Sequence, residues 1–162
     1  MAIEKFPHAY HITWGTYGTR LHGDPRGTVE RRHNIFGEPI IDHDADWQRI
    51  EASQLRFPPR VLTTIQCRYA EGLAEMICQK GGWTLVAFAA APDHVHVVLQ
   101  ADADGKAIRK WFKRWLGEAL SEQWPLKKDQ TWWAECGSVK WIFSQDYLER
   151  ATHYVKNQRA TR

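Results

Sequence analysis

The order of periodic segments predicts an α+β fold of the ferredoxin-like βαββαβ type. An antiparallel four-stranded sheet would carry helices on one face, and one additional helix would follow at the C-terminus. Three observations carry this reading. Runs rich in β-formers occur at Tyr10 to Trp14, Trp83 to Ala90, His94 to Gln100 and Trp132 to Ile142. Stripes at a spacing of three and four residues separate the first run from the second and the third from the fourth. Between the second and third runs there is only Ala91-Pro92-Asp93, short enough for a hairpin.

The chain of 162 residues suits a single domain, spanning 1–162, with room for a real core. Its formal net charge of +3 is compatible with a nucleic-acid partner without requiring one. Cys67, Cys78 and Cys136 are odd in number and lack C-x-x-C spacing, which argues against a disulfide framework and a cysteine zinc site. No signal-peptide pattern opens the chain and no apolar run approaches a membrane span, so a soluble cytoplasmic protein is expected.

Tyr10-His11-Ile12-Thr13-Trp14 alternates, with Tyr10, Ile12 and Trp14 on one face. His11 would lie on the other face, where a packed or surface histidine is the simplest reading. From about 15 to 57 no period holds. Gly15, Gly18, Gly23, Gly27 and Gly37 interrupt the stretch, and Asp24-Pro25-Arg26-Gly27 is a turn signal. A long loop insertion is expected here, either solvated or functional.

Pro58-Pro59 is read as the opening of a helix, with Leu62, Ile65, Tyr69, Leu73, Met76 and Ile77 as its apolar stripe and Gly81-Gly82 as its stop. Asp104 is the expected N-cap of the next helix, and Ile108, Phe112, Trp115, Leu116 and Ala119 its core stripe. Lys106, Arg109, Lys110 and Lys113 fall together away from that stripe. They make either an ordinary solvated face or a basic ridge able to track a phosphate backbone, and Arg20 of the inserted loop joins them as a candidate nucleic-acid contact. Pro125 ends the helix. Trp132 to Ile142 reads as one strand or two short ones. Ser144 caps the last helix, and Leu148, Ala151 and Val155 mark its buried side. Nine tryptophans are many for this length; most belong in the core, although an exposed one could stack on a base.

The run Pro92-Asp93-His94-Val95-His96-Val97-Val98-Leu99-Gln100 carries two histidines one residue apart. On a strand they share a face, side by side, and two imidazoles so placed suit a metal ion. The last helix offers His153, Tyr154 and Gln158. Tyr154 and Gln158 are four apart and lie on one helical face, so Gln158 could offer its carbonyl oxygen to the ion with Tyr154 one turn away.

These two motifs together resemble the HUH-type single-tyrosine transposases, of the insertion-sequence and REP-associated branches. Members carry a His-hydrophobic-His strand and a later helix with one nucleophilic tyrosine, followed four residues on by an amide that completes the metal site. Pro92 to His96 resembles the first motif and Tyr154-Val155-Lys156-Asn157-Gln158 the second; Thr16 to Asp24 is similar to a segment of the REP-associated branch. Gln158 matches the insertion-sequence enzymes, whereas many REP-associated members have asparagine and then proline where this chain has Gln158-Arg159. The resemblance implies Mg²⁺ or Mn²⁺ held by His94, His96 and Gln158, with Tyr154 as nucleophile. The implied partner is single-stranded or hairpin DNA, and the tyrosine helix would serve either its own chain or the other chain of a homodimer. Tyr147 is a rival nucleophile on the same helix, but four residues after it stands Ala151, which binds no metal.

Attack by Tyr154 on a scissile phosphate would leave a 5′-phosphotyrosine and a 3′-hydroxyl, conserving the bond energy for rejoining. Two other classes compete. A non-catalytic RRM-like nucleic-acid-binding module shares the topology but wants aromatic residues where this chain has histidines. A histidine-triad hydrolase wants a third histidine where Val98 stands.

Overall fold

The computed structural model describes residues 7–19 and 45–160. Its elements are β1 (Ala9–Gly15), α1 (Ala45–Ser53), α2 (Thr64–Gly81), β2 (Thr84–Ala90), β3 (His94–Gln100), α3 (Gly105–Gln123), β4 (Ser138–Ile142) and α4 (Gln145–Ala160). The strands form one sheet in the order β2-β3-β1-β4, every neighbouring pair antiparallel. This is the ferredoxin-like arrangement read from the sequence, and β3 is central in it.

Alternation along the strands divides the apolar residues between two cores. Tyr10, Ile12 and Trp14 of β1 and Val95, Val97 and Leu99 of β3 pack with Phe88 against α2 and α3. On the opposite face Ala9, Ala87, Ala89, Val98 and Ile142 meet Leu148, Ala151 and Val155 of α4. The second core is built largely from alanine, which lets α4 lie close to the sheet. The molecule therefore has three layers, and α4 occupies the face that the βαββαβ plan alone leaves open.

Several elements differ from the sequence expectation. The expected insertion at 15–57 contains a short helix, α1, opened by Asp46 in its first turn; 20–44 lie outside the described residues, Arg20 among them. Helix α2 begins at Thr64 and not at Pro59. The reason is a reciprocal cap: Gln66 N donates to Thr63 Oγ1 at 3.2 Å and Thr63 N donates to Gln66 Oε1 at 2.9 Å. Its buried face is also rotated from the expected stripe. Cys67, Ala70, Ala74, Ile77 and Cys78 face the sheet, while Ile65 and Met76 are exposed. Small residues permit close helix–sheet approach, so alanine and cysteine make the contact where the sequence expectation has the larger apolar residues. The stop is as expected, with Gly82 in the left-handed region at φ 75°. Of the Trp132 to Ile142 run, only Ser138–Ile142 is strand, preceded by a single bridge between Thr16 and Trp133. Gly137 lets β4 enter beside β1: a Cβ there would stand 2.3 Å from the Thr13 carbonyl oxygen.

The expected basic ridge on α3 divides into two pairs. Lys106 and Lys110 are exposed. Arg109 Nη1 donates to Gly137 O at 2.9 Å, and Lys113 Nζ donates to the carbonyls of Ala134, Glu135 and Cys136 at 2.7, 3.1 and 3.3 Å. Burial, reinforced by the neighbouring Arg109 guanidinium, pushes the Lys113 ammonium down to about 8, still charged at neutral pH. These two cations are engaged by the connector into β4, because the 134–137 carbonyls turn toward α3 and have to find donors there.

This division predicts different variant behaviour on one helix. Lys113→Ala leaves three carbonyls without their donor and is expected to cost about 1–3 kcal/mol in urea unfolding. Lys110→Ala is expected to stay within about 0.5 kcal/mol of wild type. Equal effects would contradict the assignment.

Candidate active site

The register of β1 against β3 sets the site. Thr13 pairs with His96, Gly15 with His94 and His11 with Val98. His94 and His96 project from β3 toward the α4 side, as their spacing requires. Gly15, opposite His94, contributes no side chain there. Thr13 and His11 of β1 project to the same side, on the face opposite Tyr10, Ile12 and Trp14.

Both imidazoles are held at Nδ1. For His94 the partner is its sequence neighbour: Nδ1 lies 2.5 Å from Asp93 Oδ1. The Pro92-Asp93 turn that carries this carboxylate is fixed from several sides. Thr16 N and Thr19 Oγ1 donate to Asp93 O at 2.9 and 3.2 Å, and Leu62 N donates to Pro92 O at 2.8 Å. For His96 the partners come from β1: Thr13 Oγ1 lies 2.9 Å and His11 Nε2 3.1 Å from Nδ1. The two rings of the pair stand edge-on, centroids 4.7 Å apart at 87°. Burial, with help from the Lys140 charge, pulls His11 down to about 4, so it is neutral at neutral pH. Lys140 stands opposite His11 on β4 and is exposed.

The last helix brings Tyr154 to this cluster. Ser144 caps α4 through Tyr147 N, which donates to its Oγ at 3.1 Å. Leu148, Ala151 and Val155 seat the helix on its own chain's sheet. At its far end Arg159 Nε donates to Phe88 O at 2.7 Å and stands 3.8 Å from Glu71 Oε2. Glu71 Oε1 in turn accepts from Ala90 N at 3.4 Å. Helices on opposite faces are thus tied around edge strand β2, and the tie occupies backbone groups that could otherwise template another strand. The Tyr154 ring lies 5.5 Å from the His96 ring at 89° and 6.1 Å from the His11 ring at 61°. It is 51% exposed, so its hydroxyl is open to a large substrate. Tyr147 packs instead against the alanine-rich core, with the Arg150 guanidinium over its ring at 5.5 Å. Gln158, partly buried, follows Tyr154 by one turn. His153 is exposed, 3.2 Å through Nε2 from the Asn157 amide.

Among the described residues no three His, Cys, Asp or Glu side chains form a group that could hold a metal ion. Two imidazoles oriented through Nδ1 nonetheless fit a divalent ion at Nε2, in the pattern where a carboxylate or other acceptor steadies a ligating histidine. A third protein donor would have to be of another type, and the Gln158 amide oxygen is one. The α3 cations have no place in this cluster. That helix packs on the other face of the sheet, so Lys106 and Lys110 are on the layer opposite His94 and His96.

Three of these residues have no assigned role in the sequence expectations. Asp93 enters them within the hairpin turn and the Pro92 to His96 motif, Thr13 only as a strand residue, and His11 as a packed or surface histidine that could stand near the site. The strand alternation of β1 contains the signal: His11 and Thr13 share a face, and because Tyr10, Ile12 and Trp14 join Val95, Val97 and Leu99 in the core, that face is the one of His94 and His96.

No family model matches the chain, and no curated protein sequence matches it. Several solved structures are similar, two of them as follows. A candidate transposase from Deinococcus radiodurans R1 is 18% identical, with a TM-score of 0.50, covering 98% of this chain and 98% of that one. A REP-associated tyrosine transposase bound to a REP hairpin is 11% identical, with a TM-score of 0.49, covering 99% of this chain and 72% of that one. The first of these shares its fold with the present chain end to end.

The clasp at β2 yields a prediction. Arg159→Ala is expected to speed amide hydrogen exchange several-fold in the second half of α4 while leaving α2 and α3 at wild-type protection. Unchanged exchange in α4 would show that the alanine-rich core alone seats the helix.

Proposed function

We propose that this chain is a metal-dependent single-stranded DNA endonuclease and strand transferase that works through a covalent 5′-phosphotyrosine on Tyr154. The observation that carries the reading is the placement of a half-exposed tyrosine edge-on to the buried ring of His96, whose Nδ1 is held by β1 and which stands beside His94. The fold shared with a candidate transposase agrees with it, as do the motifs on β3 and α4. The RRM-like alternative has less support, since the central strands present His11, Thr13, His94 and His96 to the open side and α4 packs there.

In this reading the residues that would hold the ion are His94 and His96, through their imidazole nitrogens, and Gln158, through its amide oxygen. Magnesium or manganese is favoured because the bound substrate group is a phosphate. The ion, when bound, supplies positive charge to the non-bridging oxygens of the scissile phosphate. Tyr154 Oη forms a bond to phosphorus and the bond from phosphorus to the 3′-oxygen breaks. The phenolic proton is lost and the leaving 3′-oxygen gains one, so the step balances without another reactant. The DNA 5′ end stays on Tyr154, and an incoming 3′-hydroxyl can reverse the attack and join a new strand without ATP. Lys140, exposed on the same face, adds positive charge where the phosphate backbone would run. The substrate class is single-stranded DNA, including strands bearing a hairpin, in transposition or in processing of repeated hairpin elements.

The test is to incubate the protein with hairpin-bearing single-stranded DNA and Mg²⁺ or Mn²⁺ and look for an adduct that survives denaturing electrophoresis. Wild type is expected to form it. Tyr154→Phe is expected to abolish it, His94→Ala and His96→Ala to reduce it at least about 100-fold, and Gln158→Ala to raise the metal concentration required about tenfold or more. An adduct formed equally by Tyr154→Phe would remove Tyr154 as nucleophile.

A further inference from the structure

We infer that Thr13 and His11 of β1 are positioning residues that fix His96 as the Nδ1–H tautomer, doing for His96 what the Asp93 carboxylate does for His94. The inference rests on the metal-site reading above, but its first test does not need the metal.

The two histidines are supported differently. An ionised carboxylate only accepts, so Asp93 at 2.5 Å fixes the proton of His94 on Nδ1 and leaves the lone pair on Nε2. Beside His96 Nδ1 stand a hydroxyl oxygen at 2.9 Å and a ring nitrogen at 3.1 Å, both from β1. Two ring nitrogens this close need one proton between them, because facing lone pairs repel. The proton belongs either to His96 Nδ1 or to His11 Nε2, and only the first choice leaves His96 Nε2 able to ligate. The hydroxyl serves the first choice, because it can take the His96 proton and pass its own on to His11. In the inferred tautomer Thr13 Oγ1, 2.9 Å away, accepts from His96 Nδ1–H and turns its own proton toward His11 Nε2 at 3.5 Å. A three-membered relay results, with His11 as terminal acceptor. His11 and His96 are 8% and 6% exposed, so water does not readily replace either partner. The strand pairing brings the three groups together: Thr13 is the direct cross-strand partner of His96, and His11 is two residues along the same face.

The relay also accounts for the choice of residue types. Valine would match threonine in shape on a central strand but would leave Nδ1 to His11 alone. Phenylalanine would fill the place of His11 against Tyr154 but could not accept.

The experiment is long-range ¹H–¹⁵N correlation of the histidine rings in the full-length, metal-free protein at neutral pH, with Mn²⁺ affinity measured separately by titration calorimetry. Wild-type His96 is expected to show a protonated Nδ1 and a bare Nε2. Thr13→Val and His11→Phe are expected to shift His96 toward the other tautomer or a mixture and to weaken Mn²⁺ binding about 10–100-fold, with thermal melts reporting that each variant is folded. Thr13→Ser, which keeps the hydroxyl, is expected to restore both readouts. A wild-type His96 protonated at Nε2 would overturn the inference, as would a Thr13→Val protein with unchanged tautomer and unchanged affinity. Should the DNA adduct fail to form while the tautomer pattern holds, the functional reading fails and the relay stands.

Discussion

The antiparallel pairing of β1 with β3 is the constraint on which the rest depends. Each of these central strands gives one face to the large core and the other to the histidine cluster. The register that places Thr13 beside His96 also places Ile12 beside Val97 and Trp14 beside Val95. A slip of one residue would turn the histidines into the core and the valines toward α4. Each fully buried aliphatic or aromatic side chain contributes about 1.5–3 kcal/mol, so the core holds the register far more firmly than the polar contacts could. The polar site is therefore placed by apolar packing on the reverse of the same strands.

The third layer turns that polar face into a site. Without α4, the face would be a sheet surface with a few histidines on it. Alanines at 87, 89 and 151 keep the helix close, and the Arg159 tie fixes its far end at the β2 edge. Tyr154 then falls over His96 and His11, while Tyr147, two turns earlier, is turned into the packing. The same arrangement leaves the β1–β4 side of the sheet, with Lys140, open beside the tyrosine. Rigid histidines and an accessible hydroxyl are a suitable division of labour for a reaction in which a long substrate has to enter and leave.

Much of this was legible in the sequence because strands and helices announce themselves by period. The alternation of β1 and β3, the reach of α3 and the buried side of α4 all follow from spacing, and so does the shared face of His94 and His96. Three things were harder to read. The face of α2 was misplaced because cysteine and alanine, not isoleucine and methionine, make its contact with the sheet. Arg109 and Lys113 looked like part of a basic ridge, but the connector before β4 brings carbonyls to them, a tertiary fact with no local signature. The partners of His96 lie 83 and 85 positions away on another strand. Periodicity gave their face, and only the pairing register gave their contact.

The central claim is that Tyr154, and not its neighbour on the same helix, is the residue joined to DNA. Tryptic digestion separates the two, since cleavage after Lys140, Arg150 and Lys156 puts Tyr147 in the peptide 141–150 and Tyr154 in the peptide 151–156. After reaction with single-stranded hairpin DNA and nuclease trimming, mass spectrometry is expected to find the nucleotide remnant on 151–156. A remnant on 141–150, or a trapped species with neither peptide modified, would contradict the account.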